Sequence, residues 1–127
     1  MTKSLYIGID FDGTMVEHKY PEIGEPVKEA LEVVKDLQAA GHKIILYTMR
    51  SDERLAQAVD YLEENGIKPY AVNDNPSQKH WTTSKKIYCN LYIDDCTLGV
   101  PLITPDKGKP YVDWEEVREL LDERGVL

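Results

Sequence analysis

The sequence predicts an α/β fold: a single Rossmann-like three-layer domain over residues 1–127, with a parallel five-stranded sheet between two layers of helices. The length of 127 residues suits one domain. Short apolar runs alternate with amphipathic segments, which is typical of strands joined by crossover helices. The run Ile44-Ile45-Leu46 is apolar at every position, as expected of a strand that is buried on both faces.

Five strands are predicted from short runs of apolar, β-branched and aromatic residues that are bounded by turn residues. These runs cover residues 5–10, 43–48, 70–73, 91–94 and 101–104. Right-handed crossovers would bring the carboxyl ends of parallel strands to one edge of the sheet, where open α/β sheets bind ligands. The residues that directly follow each strand are therefore the candidates for chemistry.

Two helices are predicted between the first three strands. The first begins at Pro26 and stops at Gly41, because proline suits the first turn of a helix and glycine the residue beyond its last. The second is capped by Ser51 or Asp52 and ends at the Asn-Gly pair of residues 65–66. The inward stripes are predicted to be Val27, Ala30, Leu31, Val34 and Leu37 in the first helix and Leu55, Ala58, Val59 and Leu62 in the second.

A third helix is predicted near the C-terminus, where Asp113 and Glu116 form a capping-box pattern. Trp114 is expected to anchor this helix in the core. Helical spacing adds Val117, Leu120 and Leu121 to its buried stripe. The polar segment 77–86, between the third and fourth strands, fits either a short helix or an ordered loop.

Composition and charge exclude several classes of protein. The chain has 15 basic and 23 acidic residues, a net charge of −8, and no basic stripe, which disfavours nonspecific nucleic-acid binding. The longest stretch free of Asp, Glu, Lys, Arg and His, residues 96–105, is too short to span a membrane. Asp10 and Asp12 interrupt the N-terminal apolar run, so no signal peptide is predicted. We therefore expect a cytoplasmic location, where Cys89 and Cys96 would be free thiols that serve packing.

Polar residues follow three of the predicted strands. Because residues two apart in an extended chain point the same way, two carboxylates after the first strand can face one site. A cation is expected among several converging carboxylates, and oxygen ligands without His or Cys select Mg²⁺. The residues concerned are Asp10 and Asp12 after the first strand, Thr48 and Arg50 after the second, and Asp94 and Asp95 after the fourth.

These groups are together suited to the hydrolysis of a phosphate ester. One carboxylate can attack phosphorus and form an aspartyl-phosphate, while a second moves the proton. A threonine hydroxyl and a lysine ammonium can hold the phosphoryl oxygens. Thr48 supplies the hydroxyl, and Lys85 or Lys86 supplies the ammonium shortly before the fourth strand.

The same residues resemble the four motifs of the haloacid dehalogenase-like (HAD) superfamily of phosphohydrolases. The first motif is the run Asp10-Phe11-Asp12-Gly13-Thr14 after an apolar strand, and the resemblance extends from residue 5 to about residue 102. It implies a HAD-like phosphatase core domain over residues 1–127, with the first strand in the middle of the sheet.

The resemblance also implies roles for the individual residues. Asp10 would be the nucleophile, and Asp12 would protonate the leaving group and then deprotonate the hydrolytic water. Thr48 and Lys86 would bind the phosphoryl oxygens. Lys86 is preferred to Lys85 because similar short members place the lysine eight residues before the acidic pair, and Lys79 is a weaker third candidate.

Mg²⁺ would be bound, by the same resemblance, through the Asp10 carboxylate, the Asp12 main-chain carbonyl and the Asp94-Asp95 pair. One member of that pair would bind directly and the other through water, and the sequence leaves open which is which. The predicted protein is a Mg²⁺-dependent phosphomonoester hydrolase.

The resemblance is to the capless type of this superfamily. Residues 15–25 and 73–86 are too few to hold the cap domain with which many members enclose small substrates. The phosphorylated substrate would then be a small molecule enclosed by a partner subunit, or else a larger phosphorylated molecule. Candidate specificity residues are His18, Tyr20, Arg50, Asn75 and Trp81, of which Arg50 is preferred because it can fork onto a second anionic group.

Two other functions stay open. A receiver-like phosphoacceptor domain has a similar length and a similar acidic site, but it places its acidic pair first and its threonine later in the chain. A catalytically idle HAD-like binding domain would keep the scaffold without turnover. Repeated Mg²⁺-dependent turnover of an aryl phosphate would separate the predicted enzyme from both.

Overall fold

The computed structural model describes residues 3–127 and shows an α/β domain. All five predicted strands and three predicted helices are present, and the strands are somewhat shorter than predicted. An additional two-residue strand precedes the last helix. In chain order the elements are β1 (Tyr6–Ile9), α1 (Ala30–Ala39), β2 (Lys43–Leu46), α2 (Asp52–Glu64), β3 (Ala71–Val72), β4 (Leu91–Ile93), β5 (Leu102–Ile103), β6 (Tyr111–Val112) and α3 (Trp114–Glu123).

The main sheet is parallel and has the strand order β3-β2-β1-β4, so the first strand is an inner strand, as expected. Ile9, at the end of β1, is in register with Leu46 of β2 and Ile93 of β4. The residues that follow these three positions therefore emerge side by side at the carboxyl edge of the sheet. Asp10 and Asp94 are two of them.

The prediction of a five-stranded parallel sheet is wrong. The main sheet has four strands, and β5 pairs antiparallel with β6 in a separate two-stranded sheet. Residues 94–101, which connect β4 to β5, contain no helix and are fewer than the dozen or so residues that a parallel crossover needs. The small sheet attaches instead to the loop after β1, where the Val112 amide donates to the Gly13 carbonyl at 3.0 Å.

The two faces of the parallel sheet are covered differently, which corrects the expected three-layer arrangement. All three helices pack on one face, in a cluster that includes Ile7, Ile9 and Leu46. Within residues 3–127, no α-helix belongs to the cluster on the opposite face, which residues of the segment between β3 and β4 cover. Ile87 and Cys89 from that segment pack against Ile45.

The helix boundaries follow local chemistry. α1 begins at Ala30 rather than at the predicted Pro26, because Pro26 forms a β-bridge with Val16 and Glu29 has a left-handed φ of 72°. α3 begins as predicted, with the Asp113 carboxylate accepting hydrogen bonds from the amides of Glu115 and Glu116.

Most of the predicted core is confirmed. Trp114 is fully buried, and the predicted stripes of α1 and α2 lie in or against the core. Leu120, predicted to be buried, is half exposed because the buried stripe of α3 consists of Trp114, Val117 and Leu121. Cys89 is buried as predicted, whereas Cys96 is exposed at the start of the loop after β4 and does not serve packing.

The segment 77–86 combines both of its predicted forms: a 3₁₀ turn over Pro76–His80 is followed by an ordered loop. Within residues 3–127, no helix has the length and apolar character needed to cross a membrane.

Candidate functional site

Asp10 lies at the carboxyl end of β1 and is held there from two sides. Its amide donates a hydrogen bond to the Ile93 carbonyl at 3.0 Å, and its carboxylate accepts one from the Thr14 hydroxyl at 3.0 Å. The same hydroxyl oxygen accepts from the Asp95 amide at 3.2 Å. Thr14 is fully buried, and it therefore ties the loop after β1 to the loop after β4.

Three carboxylates meet at this position: Asp10, Asp94 and Asp95. Partial burial, followed by the charge of Asp94, raises the pKa of Asp10 to about 8. Partial burial likewise raises the pKa of Asp94, with further contributions from Asp95. Among residues 3–127, no lysine or arginine forms an ion pair with any of the three. This cluster, here named the acidic half of the site, is electrostatically incomplete without a cation.

The donor atoms of this cluster suit a hard metal ion. Asp94, Asp95 and Cys96 each offer a ligand atom within 4.8 Å of the others. The charges of Asp95 and Asp94 raise the pKa of the Cys96 thiol, and thiolate sulfur is a soft ligand that suits Zn²⁺ or Cu⁺ better than Mg²⁺. The oxygen donors that are left, with Asp10 beside them, fit the Mg²⁺ expected from the sequence.

His18 approaches the acidic half from the loop after the first motif. Its Nε2 lies 3.0 Å from a carboxylate oxygen of Asp95. Gly13 makes this approach possible, because its φ is 79° and a Cβ atom there would overlap the His18 ring and crowd Asp95. A glycine is thus required at this position for backbone and steric reasons alike.

Asp12 points to a different partner, Arg50, and the two form what is here named the arginine half of the site. The guanidinium donates from Nε at 2.8 Å and from Nη2 at 2.7 Å, one hydrogen bond to each carboxylate oxygen. It also donates to the main-chain carbonyls of Pro21 and Glu22, at 3.1 and 2.8 Å. The Arg50 side chain is only 1% exposed.

The arginine half is further enclosed by aromatic rings. The guanidinium carbon of Arg50 lies 5.2 Å from the ring centroid of Phe11 and 5.1 Å from that of Tyr20. This arrangement differs from the expected substrate-facing arginine. A second anionic group could reach Arg50 only if its hydrogen bonds to Asp12 opened.

Thr48 is buried at the end of β2, and Asn73 fixes its backbone. The Thr48 amide donates to the Asn73 side-chain oxygen at 2.8 Å, and the Asn73 side-chain amide donates to the Thr48 carbonyl at 2.9 Å. The Thr48 hydroxyl oxygen accepts from the Arg50 amide at 3.2 Å. Asn73 has a left-handed φ of 49°, which asparagine tolerates better than most residues.

The candidate lysines do not contact the carboxylates of the site. The Lys86 ammonium lies 6.0 Å from the ring centroid of Tyr92 and forms no ion pair within residues 3–127. Lys79 pairs with Asp74 at 3.6 Å on the surface. Lys85 is exposed as well, and neither lysine is distinguished by a contact with the carboxylates of the site.

The remaining specificity candidates have distinct environments. Asn75 is buried and caps the 3₁₀ turn by accepting from the Ser77 amide, so its role there is structural. Tyr20 stacks on Arg50, and Trp81 is 65% exposed.

Sequence reasoning assigned no role to Thr14 or Asn73, although both contact site residues. Thr14 lies inside the first motif, and the indole N–H of Trp114 donates to the Thr14 carbonyl at 2.6 Å. Asn73 is a polar residue directly after the third strand, which is the signal that could have identified it.

Fold and site together define a small α/β domain with an acidic cluster at the carboxyl edge of a parallel sheet. No family model and no curated protein matches the chain. A solved structure, that of a conserved protein coded by a locus of Bacteroides thetaiotaomicron, matches with a TM-score of 0.79 and 36% sequence identity, over 96% of this chain and 93% of that one. The chain belongs to the same family as that conserved protein.

Proposed function

We propose that the chain is a Mg²⁺-dependent phosphomonoester hydrolase, a capless member of the HAD-like superfamily that acts through an aspartyl-phosphate on Asp10. The observation that carries this proposal is the acidic half of the site. Its three carboxylates converge at the carboxyl edge of the sheet, and the pKa of Asp10 is raised to about 8. Such a cluster is costly for stability, which favours a functional explanation.

The residues that would hold Mg²⁺ are the carboxylates of Asp10, Asp94 and Asp95 and the main-chain carbonyl of Asp12. The ion, when bound, supplies positive charge that offsets these carboxylates and the phosphoryl oxygens of the substrate. Thr14 keeps the Asp10 carboxylate oriented through its hydrogen bond at 3.0 Å. Thr48 and Lys86, or Lys85 in its place, would hold the phosphoryl oxygens.

The reaction has two steps. In the first, a carboxylate oxygen of Asp10 bonds to phosphorus, the bond from phosphorus to the leaving oxygen breaks, and Asp12 gives that oxygen a proton. In the second, water attacks phosphorus, the bond to Asp10 breaks, and Asp12 takes the proton from the water. Nucleophilic and acid–base catalysis by two carboxylates are therefore combined.

Arg50 is proposed as the positioning residue for Asp12. Its side chain is fixed by two main-chain carbonyls as well as by Asp12, so the Asp12 carboxylate has one well-defined orientation. A bidentate pair of this kind fixes both distance and plane. For Asp12 to donate a proton, at least one of the two hydrogen bonds from Arg50 has to open.

The substrate is proposed to be a phosphorylated molecule that reaches an uncapped site. A small substrate would be enclosed by a partner subunit, and a large one would need no enclosure. We propose a cytoplasmic setting, where Mg²⁺ and phosphate esters are abundant.

A catalytically idle binding domain is the second candidate, and the arginine half is the observation that favours it. With both oxygens of Asp12 engaged by Arg50, the domain could persist without acid–base chemistry. A receiver-like phosphoacceptor domain is less favoured, because Asp12 gives this chain a second carboxylate beside the acceptor.

The test is phosphate release from a broad panel of phosphomonoesters by the purified chain, with Mg²⁺ and with EDTA. The proposal predicts many turnovers per protein with Mg²⁺, and none with EDTA or in Asp10→Asn. Asp106→Asn, in an exposed loop, is the matched control and should keep full activity. Absence of release from the whole panel, or undiminished release by Asp10→Asn, would overturn the proposal.

A further inference from the structure

A cavity of about 320 Å³ lies under the loop between β3 and β4 and is rich in aromatic side chains. Its lining residues include three aromatic ones, and the list is Trp81, Thr82, Ser84, Lys86, Tyr88, Cys89 and Tyr92. This volume falls at the lower end of the range for small-molecule sites. The lining contains no carboxylate.

The aromatic surface of this cavity is open to solvent. Trp81 is 65% exposed and Tyr88 is 40% exposed, and their rings meet edge to face with centroids 5.8 Å apart. Exposed tryptophan and tyrosine in one cavity are uncommon on a surface without a ligand to bind, because these side chains gain most from burial.

The loop that carries these rings is held in place by buried amides. The Gln78 side chain donates to the carbonyls of Ser84 and Lys86, at 3.2 and 3.0 Å, and accepts from the Tyr88 amide at 2.8 Å. Asn75, which is 1% exposed, donates to the Tyr88 carbonyl at 3.0 Å. The cavity is therefore preformed rather than a product of loose chain.

One ring contact leads from the cavity toward the candidate site. Tyr92 lies in β4, two residues before Asp94. Its ring centroid lies 6.1 Å from that of Tyr47, which is the residue directly before Thr48. The Lys86 ammonium lies 6.0 Å from the Tyr92 ring centroid. A ligand in the cavity would thus have Lys86 beside it, and the contact from Tyr92 to Tyr47 connects the cavity to the residue before Thr48.

We propose that this cavity binds a planar ring in the leaving group of the substrate, so that the preferred substrates are ring-bearing phosphomonoesters. The inference rests on the proposed function for the phosphate and on the cavity for the ring. Planar rings stack on tryptophan and tyrosine, and the absence of carboxylates in the lining disfavours a polyhydroxylated group that needs strong acceptors. Lys86, at the wall of the cavity, is suited to the phosphate of the same molecule.

The kinetic test uses benzyl phosphate and cyclohexylmethyl phosphate, which have similar leaving groups but a planar and a puckered ring. Trp81→Ala should lower kcat/KM for benzyl phosphate about tenfold, mainly through KM, and change that for cyclohexylmethyl phosphate less than twofold. Trp81→Phe should restore most of the loss. Leu98→Ala, at an exposed leucine outside the lining of this cavity, should behave as wild type.

Equal losses for the two substrates, or no loss for either, would overturn the inference while leaving the proposed function intact.

A second measurement does not depend on turnover. Benzylphosphonate should protect Trp81 of the unmodified chain from quenching by acrylamide, whereas the buried Trp114 contributes little to quenching. If no phosphoester is hydrolysed, the proposed function fails, and protection or its absence still decides whether the cavity binds a ring.

Discussion

Asp10 and Asp12 are the same residue type two positions apart, yet they lie in opposite electrostatic environments. Asp10 belongs to the acidic half, where partial burial and Asp94 raise its pKa to about 8. Asp12 belongs to the arginine half, where a buried guanidinium donates to both of its oxygens. Environment rather than residue type thus distinguishes the two carboxylates, and Asp10 would need a bound cation to ionise before it could act as the proposed nucleophile.

The difference also shows what each half requires from outside the chain. The arginine half is neutralised by its own residues and is complete as it stands. Within residues 3–127 the acidic half has no lysine or arginine partner, and His18 contacts only its Asp95, so the charges of Asp10 and Asp94 have to be offset by a bound cation or by protons. Removal of the metal should therefore act on the carboxylates of the acidic half. A change in the arginine half should act on the orientation of the Asp12 carboxylate.

The largest effect is expected from Asp10→Asn. The amide retains the size and the hydrogen bond from Thr14 but cannot attack phosphorus, so turnover should fall by about 10³-fold or more. Without Mg²⁺ the same variant should melt at a higher temperature than wild type, because a carboxyl that is costly to ionise has been removed. Phosphate release and thermal melting check the two results, and a fall in both activity and melting temperature would contradict this description of Asp10.

Asp12→Asn should have the next largest effect. Loss of general acid–base catalysis lowers rates by roughly 10²- to 10⁴-fold, with the smallest loss for activated leaving groups. Asparagine keeps one acceptor for the Arg50 guanidinium and so limits the cost of leaving a buried cation unpaired. Rates for an aryl and an alkyl phosphate give the measurement. An equal loss for both substrates would argue against Asp12 as the acid.

Arg50→Lys should cost less and act through Asp12. Lysine keeps the charge but cannot form the bidentate pair, so we expect kcat to fall about 10-fold with KM little changed. The same substitution in an Asp12→Asn background should have little further effect, since a positioning residue has nothing left to position. Additive losses in kcat, or a change confined to KM, would instead identify Arg50 as a substrate-binding residue.

The last prediction concerns stability rather than activity, and its variable is pH. The pKa of Asp10 is about 8 in the folded chain against 3.8 for the ordinary side chain. A group whose pKa is raised in the folded chain contributes stability at low pH. That stability is complete below the ordinary pKa of 3.8, and it is lost as pH rises through the folded pKa of about 8. The metal-free chain should therefore lose stability between about pH 4 and pH 8 from this group.

Mg²⁺ should reverse that loss, because the proposed site would bind it through the ionised carboxylates. Its stabilising effect should be a few degrees at pH 8 and smaller at pH 5, where binding has to displace protons. Melting curves at the two pH values, with Mg²⁺ or EDTA, provide the measurement, and Asp10→Asn is the control. A larger effect of Mg²⁺ at pH 5 would contradict the assignment.

Local patterns in the sequence were enough to predict much of this molecule. Asp113 caps α3, as its capping-box pattern indicates. The ends of β1 and β4 could be located from their apolar runs, and Asp10 and Asp94 lie side by side because these two strands pair in parallel. The pairing of β5 could not be deduced from its composition, since residues 102–103 are apolar in either sheet. Only the short connection from β4, residues 94–101, pointed away from a parallel strand.

The Arg50 pair lay beyond the reach of sequence patterns for a physical reason. Arg50 and Asp12 are separated by 38 residues, and the guanidinium is fixed by the carbonyls of Pro21 and Glu22, whose positions depend on the loop after the first motif. An arginine after a strand suits substrate binding and internal pairing equally well. Its burial, which decides between them, is a property of the folded chain.

The central claim, that Asp10 carries the phosphoryl group, is tested most directly by trapping the intermediate. The chain would be mixed with Mg²⁺ and a substrate identified by the panel, quenched in acid and reduced with borohydride, which converts an aspartyl-phosphate to homoserine. The account predicts that peptide mass spectrometry finds homoserine at position 10, dependent on Mg²⁺ and on substrate. Homoserine at position 12, 94 or 95 instead, or turnover with none at any aspartate, would contradict it.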